Sequence, residues 1–220
     1  MSVRILQINT ALQEASVSIS ADGVLLGERI NPAQHEHAGF VQPAIAELCD
    51  SLNITLKDLD AVSVVNGPGS YTGLRVGLSA AKGICYALNL PLILINTLEW
   101  MANCNHDQGI ELVCPMIDAR RMEVFTALYD ESLNPVMDPQ AMILDPSSFS
   151  EILSQKSIAF IGDGAKKWQA ICENPLAKFP EANLNASDLS MLSIQAYKEE
   201  KFADLAYSEP FYTKDFHNGK

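Results

Sequence analysis

Any chemistry in this chain has to start from a handful of residues. Two strand-like segments end in polar side chains, one at Asn9 and one at Asp118. A carboxylate at each such end would hold hydrated Mg²⁺ against the phosphates of a nucleotide. Asn9 is an amide and lacks the charge a hard cation demands. Asp118 has that charge, but Ala119-Arg120-Arg121 follow it where a phosphate-cradling loop calls for glycines. His35-Glu36-His37 suggests metal, yet histidines two apart point to opposite sides of an extended chain and no third ligand stands near. They are expected to be solvent-facing residues ahead of a helix. Ser70 and His37 would make a hydrolase pair only with a G-x-S-x-G elbow and a third member, and neither is present. No catalytic residue, no metal ligand and no cofactor of the chain's own is therefore assigned.

Two glycine-containing turns remain. Asn66-Gly67-Pro68-Gly69-Ser70-Tyr71-Thr72-Gly73-Leu74-Arg75 joins a strand to a helix, with Ser70 or Thr72 placed to cap it. It has no G-K-[ST] ending, so it is not a Walker A loop. It reads either as a structural turn or as a site for phosphate or carbonyl oxygens at a helix N-terminus. Gly162-Asp163-Gly164, after another strand, reads either as a nucleotide contact or as a plain turn with Asp163 as the cap.

The elements that position these residues alternate along the chain. Leu6 and Ile8 lie in a first strand, Ser16–Ser20 alternates with period two, and Asp22-Gly23 supplies a hairpin turn into Val24-Leu25-Leu26. A helix is expected over 38–52, with Val41, Ile45, Leu48 and Leu52 on one face and Pro43 in its first turn. A strand over 61–65 leads to the glycine loop, a helix over 74–88, and a short apolar strand over 91–95. A helix over 97–109 joins the halves. The second half repeats the order, with strands at 112–117, 123–129, 136–144 and 157–161, helices at 148–154 and from near Ala165, and a last helix over 187–201. Two successive β-β-β-α-β-α units predict an α/β, actin-like (ASKHA) duplicated ribonuclease-H-like fold in two lobes, 1–100 and 101–220. Whether the C-terminal segment packs back on the first lobe is left open. A Rossmann arrangement would not begin with an antiparallel hairpin.

In the helix over 74–88, Gly73, Gly77, Ala80, Ala81 and Ala87 recur at spacings of three and four. Such a flat side packs either on its own sheet or against another helix. The bulk properties narrow the classes further. The chain has 220 residues and is 48% apolar, ample for a buried core. Its net charge of -12 argues against gripping nucleic acid alone. Its five cysteines, Cys49, Cys85, Cys104, Cys114 and Cys172, include no C-x-x-C pair and read as free thiols. No apolar run is long enough to cross a bilayer, and the N-terminus enters a strand without a signal peptide's cleavage region, so a cytoplasmic protein with no membrane partner is expected.

Gly67-Pro68-Gly69-Ser70-Tyr71-Thr72-Gly73-Leu74-Arg75-Val76-Gly77-Leu78 followed by Ala81-Lys82-Gly83 resembles the hallmark of the TsaB (YeaZ) family. Asn96-Thr97-Leu98-Glu99, Asp118–Phe125 and the closing Glu209-Pro210-Phe211-Tyr212 extend the likeness, with a basic residue displaced to Lys214. The resemblance implies a non-catalytic, actin-like relative of the transferase TsaD, working in tRNA N6-threonylcarbamoyladenosine formation. It implies that helices 38–52 and 74–88 bundle with the same pair on TsaD, or on a second copy when TsaD is absent. The expected partner face is Val41, Ile45, Leu48, Leu74, Gly77, Ala80, Ala81 and Ile84. An ATPase, TsaE, completes the complex, tRNA is reached only through it, and ATP or ADP at a shared interface is left open. The alternative is an actin-like ATP-dependent phosphotransferase or acyltransferase with its own Mg-ATP site.

Overall fold

The computed structural model describes residues 2–32, 36–105 and 110–213. His35 and Lys214 lie outside the described residues. The first strands are β1 (Arg4–Asn9), β2 (Ala15–Ala21) and β3 (Val24–Asn31), followed by α1 (His37–Leu52), β4 (Ala61–Gly67), α2 (Tyr71–Leu88) and β5 (Leu92–Asn96). Then come α3 (Thr97–Asn103), β6 (Leu112–Asp118), β7 (Glu123–Asp130), β8 (Pro135–Ile143), α4 (Ser150–Leu153), β9 (Ile158–Ile161), α5 (Ala165–Gln169), β10 (Ala177–Lys178) and α6 (Ala186–Lys198).

The strands form two five-stranded sheets, ordered β3-β2-β1-β4-β5 and β10-β9-β6-β7-β8. In each, three strands run antiparallel and two more add in parallel beside the first, so the duplication predicted from the pattern is present. The β2–β3 turn has φ 50° at Asp22 and 84° at Gly23, the left-handed pair that a tight hairpin needs.

Alternation along the strands sends one set of side chains to each face. In the first sheet Leu6, Ile8, Val17, Ile19, Val62 and Val64 pack against α1 and α2. The other face carries Gln7, Ser18, Ser20 and Ser63, and α6 contacts β1, β2, β3 and β5. The Gln7 amide bonds the hydroxyls of Ser18 and Ser20, and Ser193 of α6 donates to Ser63 Oγ at 2.9 Å, so this buried polar seam is satisfied. The first unit accordingly comprises Met1–Thr97 and Asn185–Phe211, and the second comprises Leu98–Leu184 and Tyr212–Lys220. Helix α6, counted by position in the second lobe, thus belongs to the first unit. The second unit has its own core, built on Phe160 and Trp168 with Phe149 at 5.1 and 5.7 Å between ring centroids.

Local differences from the pattern have simple causes. Helix α1 starts at His37, so Pro43 lies beyond the first turn and leaves the Gly39 carbonyl without a helical donor. Helix α2 starts at Tyr71, one residue after its cap. Helix α3 is shorter than expected, ending at Asn103, and residues 106–109 lie outside the described residues. Helix α6 ends at Lys198.

Candidate functional site

Three backbone segments meet at the start of α2. The Ser70 N–H donates to the Ala11 carbonyl at 2.7 Å, and Ser70 Oγ accepts from the Gly73 N–H at 3.3 Å, making Ser70 the N-cap. Thr10 Oγ1 donates to the Gly73 carbonyl at 2.7 Å. A side chain at Gly73 would strike the Thr10 carbonyl, and one at Gly77 would strike Thr10 Oγ1 and meet Val64 and Ile8 at 3.4 and 3.5 Å. These glycines therefore admit the chain after β1, and the helix N-terminus faces the protein's own carbonyls. Gly67 and Gly69 likewise lie against the Phe211 and Ala11 carbonyls, and Pro68 is buried. Thr72 is exposed, and the exposed Arg75 guanidinium lies 3.8 Å from the centroid of the Tyr71 ring.

The face expected to meet a partner needs correction on the same ground. Val41, Ile45, Leu48, Leu74, Ala81 and Ile84 are all buried in the first unit's own core, as is Gly77. Of that set, Ala80 alone is partly exposed. The small and apolar positions face inward because the strands beneath α1 and α2 demand close packing. The residues α2 turns outward include Thr72, Arg75, Ser79, Gly83, Tyr86 and Ala87, with Tyr86 82% exposed. On α1 the outward residues include Gly39, Gln42, Ala46 and Glu47. A methyl built on Gly39 or Gly83 meets no atom within 4 Å.

The two strand ends differ in the second unit's favour only on paper. Asn9 is buried, and its Oδ1 accepts from the Ala11 N–H at 3.2 Å, closing a local turn. Asp118 Oδ1 accepts from Lys167 Nζ at 2.7 Å and from the Arg120 N–H at 2.6 Å. Lys167 also donates to the Glu123 carbonyl at 3.1 Å. The Lys167 ammonium, first among the causes, holds the Asp118 carboxyl below the usual carboxylate range. Lys167 is the residue that sequence spacing missed, since nothing local ties this position on α5 to a carboxylate at the end of β6.

Asp163 does not cap α5; its Oδ1 accepts from the Asp118 N–H at 2.9 Å, and the cap is Gly164 without a side-chain bond. Gly162 and Gly164 pack beside the β6 backbone near Met116 and Ile117. His37 is buried, not solvent-facing, with Nε2 3.2 Å from the Leu12 carbonyl. Among the described residues no group of three or more His, Cys, Asp or Glu could hold a metal ion. All five cysteines are free, and burial pushes the Cys85 thiol up to about 11 and the Cys114 thiol up to about 12, far from a reactive thiolate. No helix among the described residues is long and apolar enough to cross a membrane.

Known proteins share this arrangement. The family model of TsaD, tRNA N6-adenosine threonylcarbamoyltransferase, matches residues 30–213. The tRNA threonylcarbamoyladenosine biosynthesis protein TsaB of Bacillus subtilis is 28% identical over 222 residues, covering 96% of this chain and 93% of that protein. A solved Pseudomonas aeruginosa protein, described as uncharacterized with similarity to peptidase YeaZ, shares the fold at a TM-score of 0.83 and 23% identity over 96% of this chain and 100% of that one. The activator of 2-hydroxyisocaproyl-CoA dehydratase from Clostridium difficile shares the actin-like architecture at a TM-score of 0.50 and 10% identity, covering 91% of this chain and 96% of that one. With a hallmark loop that caps α2, a duplicated actin-like fold and a match across residues 30–213, the chain belongs to the TsaD family and, within it, to the TsaB/YeaZ group of tRNA threonylcarbamoyladenosine biosynthesis.

Proposed function

We propose that this chain is the non-catalytic subunit of a cytoplasmic tRNA threonylcarbamoyladenosine complex, pairing with a TsaD-type transferase and activating it. The observation that carries this reading is the state of the two strand ends. Asn9 supplies no charge, and the Asp118 carboxylate is already engaged by Lys167. These two strand ends therefore offer no free pair of carboxylates for Mg²⁺.

The partner contact belongs on the outward faces of α1 and α2. Gly39, Ala46, Ser79, Ala80, Gly83 and Ala87 leave those surfaces low, so that another pair of helices can approach closely. In the absence of a TsaD-type chain, a second copy would use the same surface. A TsaE-type ATPase would join the assembled pair, and any shared nucleotide would be held there rather than by this chain alone.

The test is association measured by size-exclusion chromatography with the TsaD-type subunit of the same cell. Gly83→Glu and Ala87→Glu, both at exposed positions, should each abolish the mixed species while leaving the thermal midpoint of the lone chain unchanged or higher. Undiminished association of both variants would overturn the assigned surface. Mg²⁺-dependent ATP turnover by the purified chain, lost in Asp118→Ala, would overturn the non-catalytic assignment.

A further inference from the structure

The turn between β6 and β7 holds two adjacent residues at positive φ, Arg120 at 71° and Arg121 at 51°. Successive left-handed positions at a hairpin tip favour Asn and Gly, whose backbones reach that region without a Cβ clash. Arginine at both positions costs backbone stability, against which Arg120 returns a Coulombic attraction to the Asp118 carboxylate that Lys167 already bonds. Both side chains are exposed, and neither guanidinium forms an ion pair among the described residues.

The tip is nevertheless fixed. The Arg120 N–H donates to Asp118 Oδ1 at 2.6 Å, and the Glu123 N–H donates to the Arg120 carbonyl at 3.1 Å. From the β8 side, the Leu144 N–H donates to the Met122 carbonyl at 2.7 Å. Lys167 bonds both Asp118 and the Glu123 carbonyl, cancelling the carboxylate closest to the tip. Lys166, the next cation, is exposed. Glu123 and Asp163 are the other acids around the turn, and Asp163 is engaged by the Asp118 N–H.

We propose that Arg120 and Arg121 are a phosphate-binding tip, by which this chain contacts the phosphodiester backbone of the tRNA in the assembled complex. The inference rests on the function proposed above. Paired guanidinium forks on a rigid support match phosphate oxygens bidentately, as they do carboxylates, and a complex that works on tRNA presents phosphates along the whole backbone of its substrate. Strain at a single exposed residue, such as Glu200 at φ 53°, accompanies an ordinary helix end, whereas two adjacent strained arginines with exposed side chains motivate a functional reading. Against a chain of net charge -12, two such contacts cannot hold RNA alone, so the tip acts only where partner subunits supply most of the affinity.

The experiment reconstitutes the complex with its TsaD-type and TsaE-type subunits and follows fluorescently labelled tRNA by anisotropy across a KCl series. The double variant Arg120→Asn/Arg121→Gly suits the turn, so the lone chain should melt at an equal or higher temperature. Its complex should bind tRNA several-fold more weakly at a given salt, and the slope of log affinity against log salt should flatten by roughly one to two units. Arg120→Lys/Arg121→Lys should recover part of the affinity. A wild-type slope and affinity in an intact variant complex would overturn this inference alone. Loss of subunit association in the variant would overturn it in favour of an acidic protein contact, and a change confined to nucleotide affinity in favour of nucleotide phosphates. If the wild-type subunits form no complex, the proposed function falls and this inference with it.

Discussion

Gly77 and Gly83 sit six residues apart on one helix and are opposite in what surrounds them. At Gly77 an added methyl runs into Thr10 Oγ1, which is fixed by its bond to the Gly73 carbonyl at 2.7 Å and cannot swing away without losing it. At Gly83 the same methyl meets nothing within 4 Å. Alanine relieves the backbone entropy of a helical glycine by up to about 1 kcal/mol. Overpacking a fixed neighbour costs roughly 1–3 kcal/mol and wins at Gly77. Gly77→Ala should therefore lower stability in urea denaturation, and Gly83→Ala should raise it. Equal shifts from both would contradict the packing of α2 on β1. Asp118 offers a second residue-scale test. Its carboxyl is depressed by Lys167, so the stabilisation it contributes is present above the ordinary carboxylate pKa of about 3.9 and is lost as pH falls through the folded value. In Lys167→Met the Asp118 carboxyl resonance should titrate at higher pH than in the parent. Because the pair is partly exposed, stability should fall by less than about 1 kcal/mol. An unmoved titration would remove Lys167 as the cause.

At the scale of elements, sequence pattern and structure agree where the governing physics is local. Asp22-Gly23 announces a hairpin because the left-handed turn itself demands those residue types, and Ser70 caps α2 because the cap lies within one turn of its donor. The pattern is silent where the deciding partner is distant in sequence. A run of small residues on α2 looks the same whether it faces its own strand or another protein. Only the position of Thr10 shows that Gly73 and Gly77 face inward, while Ser79, Gly83 and Ala87 face out. Asp163 reads as a cap for α5 by spacing, but the Asp118 N–H on β6 captures it. Lys167 carries no local sign of its role, since its carboxylate lies 49 positions away. The identity of the loop as a hallmark was legible; which of its residues touch solvent was not.

At the scale of the molecule, the chain leaves the first unit after Thr97 and re-enters it at Asn185. The first sheet therefore has one face covered by its own sequence-local helices and the other by a helix supplied last. That second face is the polar seam of Gln7, Ser18, Ser20 and Ser63, closed by Ser193 and by the buried Leu189, Leu192 and Ile194 of α6. Without α6 the seam returns to water, and the apolar residues between its members, such as Ile5 and Val65, lose their cover. A chain ended at Leu184 should then lose the first unit's cooperative transition while the second unit keeps its own. The two tryptophans, Trp100 and Trp168, both lie in the second unit and separate the two events cleanly. In the shortened chain the tryptophan-fluorescence melt should persist near its parental midpoint, while the far-UV circular dichroism should lose helix signal at all temperatures. A synthetic peptide spanning residues 185–213, added in trans, should restore part of that signal in a saturable way. A shortened chain with unchanged dichroism and a single coincident melt would show that the first sheet needs only α1 and α2, and that α6 is an accessory rather than the missing layer of its fold.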